Sequence, residues 1–311
     1  MVALLFPGQG SQFVGMGSDL ADEFPLARET FEEADEALGA PLSRVMREGP
    51  EEELTATLNA QPAILVHSIA AFRVLGSALG DPACAAGHSL GEFTAHVAAG
   101  TIAFADAVRL VRSRGEAMYE AGRDRPGAMA AVIGLEDDAV RAVCARVGAQ
   151  HGVVVAANFN APGQVVISGE VVAVERAREA LVEAGARRAL PLNVSGAFHS
   201  PLMVPAAARL EAALAGVSFQ PAAFPVVSNV TAEPVVEPDV ARRLLVEQLT
   251  SPVRWVDGVR RLRRLGATRF LEIGPGNVLT GLLRRIDRDA EGEALGTAEA
   301  VRGALASFAS A

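Results

Sequence analysis

Gly87-His88-Ser89-Leu90-Gly91-Glu92 is the stretch on which the reading of this chain turns. It follows a small apolar run, Ala83-Cys84-Ala85-Ala86, and opens a helical pattern through Phe93, Ala95, Val97 and Ala98. Strand, G-x-S-x-G turn and helix in that order make a nucleophile elbow. Gly87 and Gly91 lack side chains, so strand and helix can approach closely while Ser89 takes a strained backbone conformation. The turn presents the hydroxyl, and the new helix aims its free N–H groups at any oxyanion that forms there. A plain Gly-Ser turn capping a helix at Ser89 accounts for the serine but leaves the flanking glycines unexplained.

A serine nucleophile needs a base, and the chain has five histidines. His67 sits inside the apolar run 63–70 and reads as a core residue. His88 belongs to the elbow but points away from Ser89, which suits lining a pocket. His96 is two helical turns past Ser89, and His151, beside Gly152, reads as a surface loop residue. His199 remains, in Gly196-Ala197-Phe198-His199-Ser200-Pro201. Its glycine and proline neighbours mark a loop ahead of a helical stretch over 204–215, and loops on a rigid scaffold are where catalytic side chains concentrate. Asp106, Asp124, Asp137 and Asp138 fall between serine and histidine, but none closes a strand of the main sheet. A Ser89–His199 dyad is expected, with the ring oriented by something other than a carboxylate.

Residues 2–122 and 194–286 alternate short apolar strands with amphipathic helices, the pattern of an α/β sheet with helices on both faces. Between them the order is strand (127–135), helix (137–147), paired strands (153–158 and 164–168) around Ala161-Pro162-Gly163, helix (171–184) and strand (187–192). This βαββαβ order is the ferredoxin-like unit. The expected division is a large α/β hydrolase-like subdomain, 1–124 with 194–311, and a small ferredoxin-like α+β subdomain, 125–193, flanking the cleft that the elbow faces. Asn160, on the turn between the paired strands, is a candidate to reach into that cleft; turn formation accounts for it equally well. The Ala-rich tail after Asp289 has no assigned role and reads as partly disordered.

Composition narrows the setting. The 311 residues suffice for a sizeable core. No uninterrupted run of about 18 apolar residues occurs, which argues against a membrane span. The chain opens directly on a strand and a Gly-rich loop, which argues against a cleaved signal peptide. Cys84 and Cys144 read as separate buried thiols, and no metal-ligand spacing is present. A net charge of −9 with 5% aromatic residues argues against nucleic acid as a partner. Together these features lead to an expectation of a cytoplasmic protein.

Five ordered motifs then carry a specific resemblance: Phe6-Pro7-Gly8-Gln9-Gly10-Ser11-Gln12, the elbow at 87–92, Arg114-Gly115, Ala197-Phe198-His199-Ser200, and Glu272-Ile273-Gly274-Pro275-Gly276. Over Val2 to Ile286 the chain resembles the malonyl-CoA:acyl carrier protein transacylases, whose fold also serves as the acyltransferase domain of polyketide synthases. The resemblance implies ping-pong transfer of malonyl from coenzyme A to the thiol of acyl carrier protein in fatty acid biosynthesis, through a malonyl-Ser89 intermediate and with no cofactor. A polyketide acceptor and a serine thioesterase on the same elbow are the alternatives, and an idle docking module is the rival from outside enzymology.

The resemblance also assigns roles. Backbone N–H groups of Gln9 and Leu90 would form the oxyanion hole, and the main-chain carbonyl of Gln248 would hold the His199 ring, although by sequence alone Gln248 passes for a helix-surface residue. Arg114 would bind the malonyl carboxylate, which a planar guanidinium meets through two parallel hydrogen bonds. Arg112, about 200° away around the same helix, would face elsewhere. Phe198 would crowd an α-methyl branch and so favour malonyl over methylmalonyl. Asn277 stands where the family commonly has lysine, and all 28 basic residues here are arginine. Because an acidic chain repels both coenzyme A and an acidic carrier protein, binding would rest on local clusters: Arg187-Arg188, Arg260-Arg261-Leu262-Arg263-Arg264 or Arg284-Arg285.

Overall fold

A computed structural model describes residues 1–194 and 196–308; Ser195 and the last three residues of the tail, 309–311, lie outside the described residues. The first strand, β1 (Val2–Phe6), is apolar throughout and buried from Ala3 on, as a strand covered on both faces must be. Five helices follow: α1 (Ser18–Glu23), α2 (Pro25–Leu38), α3 (Leu42–Glu48), α4 (Glu51–Thr55) and α5 (Thr57–Leu75). The stretch Thr57–Leu79 is long and apolar enough to cross a membrane by length and composition. Here α5 is a core helix, buried along most of its length and packed against α2 and the later helices.

Next come β2 (Cys84–Gly87), α6 (Leu90–Ala98) and α7 (Phe104–Asp124). The small residues of β2 let α6 pack directly on the strand. The small unit is β3 (Gly127–Ile133), α8 (Asp137–His151), β4 (Val154–Ala161), β5 (Gln164–Glu170), α9 (Val171–Glu183) and β6 (Arg188–Pro191). After it come α10 (Val204–Ala215), β7 (Val226–Val227), β8 (Pro234–Val235), α11 (Pro238–Glu247), α12 (Trp255–Arg264), β9 (Arg269–Glu272), α13 (Val278–Ile286), β10 (Glu291–Ala294) and α14 (Ala298–Phe308).

The large sheet has six strands in the order β10-β9-β1-β2-β7-β8, parallel from β10 to β7 and ending in the short antiparallel β7–β8 pair. The fold is therefore α/β, with the elbow at the carboxyl end of β2, where ligands bind in open α/β sheets. The second sheet has four antiparallel strands in the order β4-β5-β3-β6, with α8 and α9 sharing its own core around Val132, Val140, Ile167 and Leu181, the ferredoxin-like arrangement. Two backbone hydrogen bonds, Phe159 N to Val253 O (2.9 Å) and Val253 N to Ala157 O (2.8 Å), stitch this sheet to the segment ahead of α12.

Three expectations are corrected. Asn160 is a strand residue, because β4 runs on to Ala161 and the turn is only Pro162-Gly163. The pairing slips between Phe159 and Ala161, so Asn160 is the extra residue of a bulge, a device that re-aims a side chain. His151 is not in a loop but is the exposed last residue of α8. Up to Phe308 the tail is built into the fold, its last three residues lying outside the described residues: β10 pairs with β9, and α14 packs on α5 with Val301 and Ala304 buried. Its arginine faces outward, where Arg302 pairs with Glu23 at 2.7 Å.

Candidate active site

Three glycines allow the elbow to exist. A Cβ on Gly87 would lie 1.8 Å from the backbone of Gly91, one on Gly91 would lie 2.0 Å from Phe6 O, and one on Gly8 would lie 2.4 Å from His88 O. Strand, helix and the 6–12 loop thus meet at backbone contact, and Gln9 and Leu90 line one cavity. Ser89 sits between them at φ 52°, ψ −105°, a conformation that costs on the order of 1–3 kcal/mol and needs outside support. Asn229, just past β7, supplies it. Its Oδ1 accepts from Ser89 N (2.7 Å) and its Nδ2 donates to Gly87 O (2.7 Å).

The base candidate arrives on the loop after β6. His199 also has positive φ, 57°, and Ser200 ties that turn by donating to Ala197 O (2.6 Å) while accepting from Leu202 N (3.2 Å). His199 Nε2 lies 2.8 Å from Ser89 Oγ, and Nδ1 lies 2.9 Å from Gln248 O. A carbonyl can only accept, so the proton sits on Nδ1 and Nε2 is left to accept from the serine hydroxyl. Burial, aided by the nearby Arg114 charge, pushes the imidazole down to about 3, so it is held neutral in its base form. The ring's orienting partner is a carbonyl, not a carboxylate.

Arg114 projects from α7 and is 1% exposed. Its Nη1 donates to Gln61 Oε1 (2.6 Å) and its Nη2 to Gln248 Oε1 (2.9 Å) and Ser89 Oγ (3.1 Å). Each of these acceptors is neutral, Nε has no partner, and the guanidinium lies 5.4 Å from the Phe93 ring centre. Burial lowers its pKa to about 10. Among the described residues no carboxylate touches the cation, Glu92 acting on it only from a distance, and an incoming carboxylate in direct contact would relieve the cost of its burial. Arg112 turns the other way, half-exposed, to Glu116 (2.8 Å) and Asn59 (2.6 Å).

Ser89, His199 and Arg114 open onto a cavity of about 270 Å³ that Gln9, His88, Leu90, Phe198 and Asn160 also line. Leu90 begins α6, where a first-turn N–H has no intrahelical acceptor. Gln9 is anchored by its side chain on Thr57 Oγ1 (3.2 Å), and its loop by Ser11 Oγ donating to Gly8 O (2.8 Å). His88 Nε2 meets Asn160 Oδ1 at 2.8 Å, and burial keeps the ring neutral. Phe198 is buried against the core with its edge at the cavity. Gln248 is not a surface residue: it is fully buried, its carbonyl on His199 and its amide on Arg114.

Sequence reasoning missed Gln61, Glu92 and Asn229. Gln61 interrupts an apolar helix, and Asn229 follows a strand of the parallel sheet at its carboxyl end; each is a usable signal. Of the arginine clusters, the one on α12 is partly neutralised, since Arg261 pairs with Glu233 and Arg263 with Asp287. Arg285 donates to Gln164 across the gap to the small sheet.

Comparison with known proteins fits this geometry to a family. Residues 3–301 match the model of the acyl transferase domain. The chain is 48% identical to the malonyl CoA-acyl carrier protein transacylase of Bacillus subtilis over 287 residues, 92% of this chain and 90% of that one. It is also 48% identical to the enzyme of that name from Escherichia coli over 304 residues, 97% and 98% of the two chains. Among solved structures, it superposes with a TM-score of 0.94 and 45% identity on a malonyl-transacylase in complex with a type II polyketide synthase acyl-carrier protein, over 98% and 99% of the two chains. The acyl-carrier-protein S-malonyltransferase of Burkholderia pseudomallei gives 0.93 at 46% identity, again over 98% and 99%.

Proposed function

We infer, from the premise that this chain belongs to the acyl transferase domain family and, within it, to the malonyl-CoA:acyl carrier protein transacylases, that it transfers malonyl from coenzyme A to acyl carrier protein through an acyl-Ser89 intermediate. Its partners are a coenzyme A thioester and acyl carrier protein. In the proposed mechanism Ser89 Oγ attacks the thioester carbonyl while His199 Nε2 takes its proton. Backbone N–H groups of Gln9 and Leu90 hold the oxyanion, a charge that appears only in the tetrahedral state. The C–S bond breaks, His199 returns the proton to the departing thiolate, and coenzyme A leaves. The carrier thiol then enters, loses its proton to the same imidazole and attacks the acyl carbonyl; the ester C–O bond breaks, His199 returns the proton to Ser89 Oγ, and malonyl leaves on the carrier thiol.

Arg114 holds the malonyl carboxylate throughout, and Phe198 narrows the space beside the α-carbon. The observation that carries this reading is the union in one cavity of the Ser89–His199–Gln248 carbonyl chain with a buried guanidinium that meets only neutral acceptors. The reading places the catalytic groups in the 1–124 and 194–311 part and treats 125–193 as the opposite wall. It draws on side chains and backbone alone, with no cofactor, and sets the enzyme in the cytoplasm with its substrates. Fatty acid biosynthesis is the favoured setting; the polyketide carrier protein bound to one structural relative motivates a polyketide acceptor as the second reading.

Intact-protein mass measurement after mixing with malonyl-CoA tests the proposal. A malonyl increment on Ser89 that carrier protein discharges is expected. Release of free malonate faster than carrier loading would make the protein a hydrolase, and no increment with no turnover would make it a docking module. Rates with fatty acid and polyketide carrier proteins then separate the two acceptors.

A further inference from the structure

Glu92 closes the elbow motif, yet the mechanism above gives it nothing to do. It is 1% exposed. One carboxylate oxygen, Oε2, accepts from Gln248 Nε2 at 2.6 Å and from Asn229 N at 3.2 Å. Gln248 Nε2 also donates to Ser89 O at 3.0 Å, and Gln248 Oε1 accepts from Arg114 Nη2 at 2.9 Å. A carboxyl group, an amide and a guanidinium therefore stand in a row, all buried.

An amide is nearly symmetric in shape but not in polarity. Turned over, Gln248 would press its NH2 against the Arg114 cation and its carbonyl oxygen against the Glu92 carboxylate. The carboxylate acceptor selects one orientation and so presents an oxygen to Arg114. Gln61 grips the other side of the same guanidinium at 2.6 Å. Between these two amide oxygens the fork is held toward the cavity. A carboxylate in direct contact would instead occupy the fork and compete with the substrate's own carboxylate. Setting the acid one amide away orients the cation without consuming it.

We propose that Glu92 is a positioning residue for substrate choice: by accepting the Gln248 amide N–H it fixes the amide that aims Arg114 into the acyl cavity. The proposal rests on the reading that Arg114 binds the malonyl carboxylate. Burial pushes the Glu92 carboxyl up to about 7, with Gln248, Asn229 and Ser228 as its hydrogen-bond partners and Arg114 as the facing charge. Burial thus works against its charge, and what it contributes is an acceptor in the right place more than a counter-charge.

The test compares kcat/KM for malonyl-CoA and acetyl-CoA in wild type, Glu92→Gln, Glu92→Asp, Glu92→Leu and Arg114→Ala. Glu92→Gln keeps an oxygen where Gln248 and Asn229 need one, and its malonyl-to-acetyl ratio stays within about threefold of wild type. Glu92→Asp keeps the charge but draws the acceptor back by one methylene, and Glu92→Leu removes it. Both lower the ratio by about tenfold or more, the weight of one hydrogen bond to a charged group. If Glu92→Leu does not fold, Glu92→Asp carries the comparison. A parallel fall with both substrates, or a Glu92→Gln ratio as low as that of Glu92→Asp, overturns the proposal. Arg114→Ala separates the two levels. A collapsed ratio there beside unchanged Glu92 variants refutes the Glu92 role alone, whereas an unchanged ratio in Arg114→Ala removes the reading on which it rests.

Discussion

The parallel sheet and the antiparallel sheet face one cavity from opposite sides and furnish it differently. Around the parallel sheet, Ser89, Arg114, His199, Gln248, Gln61 and Asn229 form a continuous net of hydrogen bonds between 2.6 and 3.1 Å. Several of its members are fully buried, and two of its residues, Ser89 and His199, hold strained backbone. The antiparallel side contributes only neutral groups, apolar Met129, Val166 and Leu192 beside Asn158, Asn160 and Asn193, of which Asn160 is bonded to His88. The difference teaches where precision is needed. In the proposed mechanism charge develops on one side only, and that is the side fixed by buried polar networks whose misplacement is expensive. The other side shapes the cavity with neutral side chains.

The largest effect is expected on the networked side. Ser89→Ala should abolish the acyl-enzyme while leaving secondary structure and thermal midpoint nearly unchanged, since the residue is small and its backbone is held by Asn229. A covalent malonyl adduct in that variant, seen by intact mass, would break the comparison at its centre. Next, His199→Ala should slow acylation and deacylation alike by roughly 10²–10⁴-fold, the usual weight of a positioned acid–base group. Single-turnover rates for each half-reaction check this; loss in one step only would demand a second base.

Arg114→Ala should lower the malonyl-to-acetyl ratio of kcat/KM by about 10²-fold, because the substrate carboxylate is left buried and unpaired. It should also move a pH profile. His199 is held down first by burial and then by the Arg114 charge. A base with a depressed pKa stays neutral as pH falls through the ordinary histidine midpoint near 6.5. Acetyl transfer by the wild type should therefore hold its rate below pH 6, and its acid limb should rise toward 6.5 once Arg114 is removed. An acid limb at the same pH in both proteins would mean that the guanidinium and the imidazole do not sense each other.

What the sequence disclosed follows the same division. The elbow was legible because its meaning is local: glycines flank the serine by two residues, and each is at backbone contact. The βαββαβ unit was legible because period-two and helical patterns alternate cleanly from 127 to 191. Glu92, Asn229 and Gln61 were not legible as a network. Their partners lie 156, 140 and 53 residues away in the chain, and no local pattern encodes such pairings. Asn160 was misplaced because a bulge lengthens β4 without leaving a signature of turn or period. The tail was misread because a run of small Ala and Gly residues resembles a loose segment, while Val301 and Ala304, three apart, carry the docking face.

The smallest effect is expected across the cleft, and it is the sharpest check on the division. Asn160→Ala removes the acceptor for His88 Nε2, a 2.8 Å contact between the small sheet and the elbow. His88 is half-buried, so its N–H loses a partner that water replaces only in part. Unfolding should become easier by about 0.5–1.5 kcal/mol, the net weight of one hydrogen bond. The Ser89 hydroxyl is bonded to the His199 imidazole, not to His88. Loosening His88 should thus shift the wall and the fit of the acyl chain more than the reacting groups. KM for malonyl-CoA should rise a few-fold while the acylation rate at saturation stays within about threefold of wild type, as expected when uniform binding is lost. Stopped-flow acylation over a range of malonyl-CoA concentrations separates the two quantities. A fall in the saturating rate of about 10²-fold would place Asn160 among the groups that stabilise the transition state, and the antiparallel sheet would then share in the chemistry.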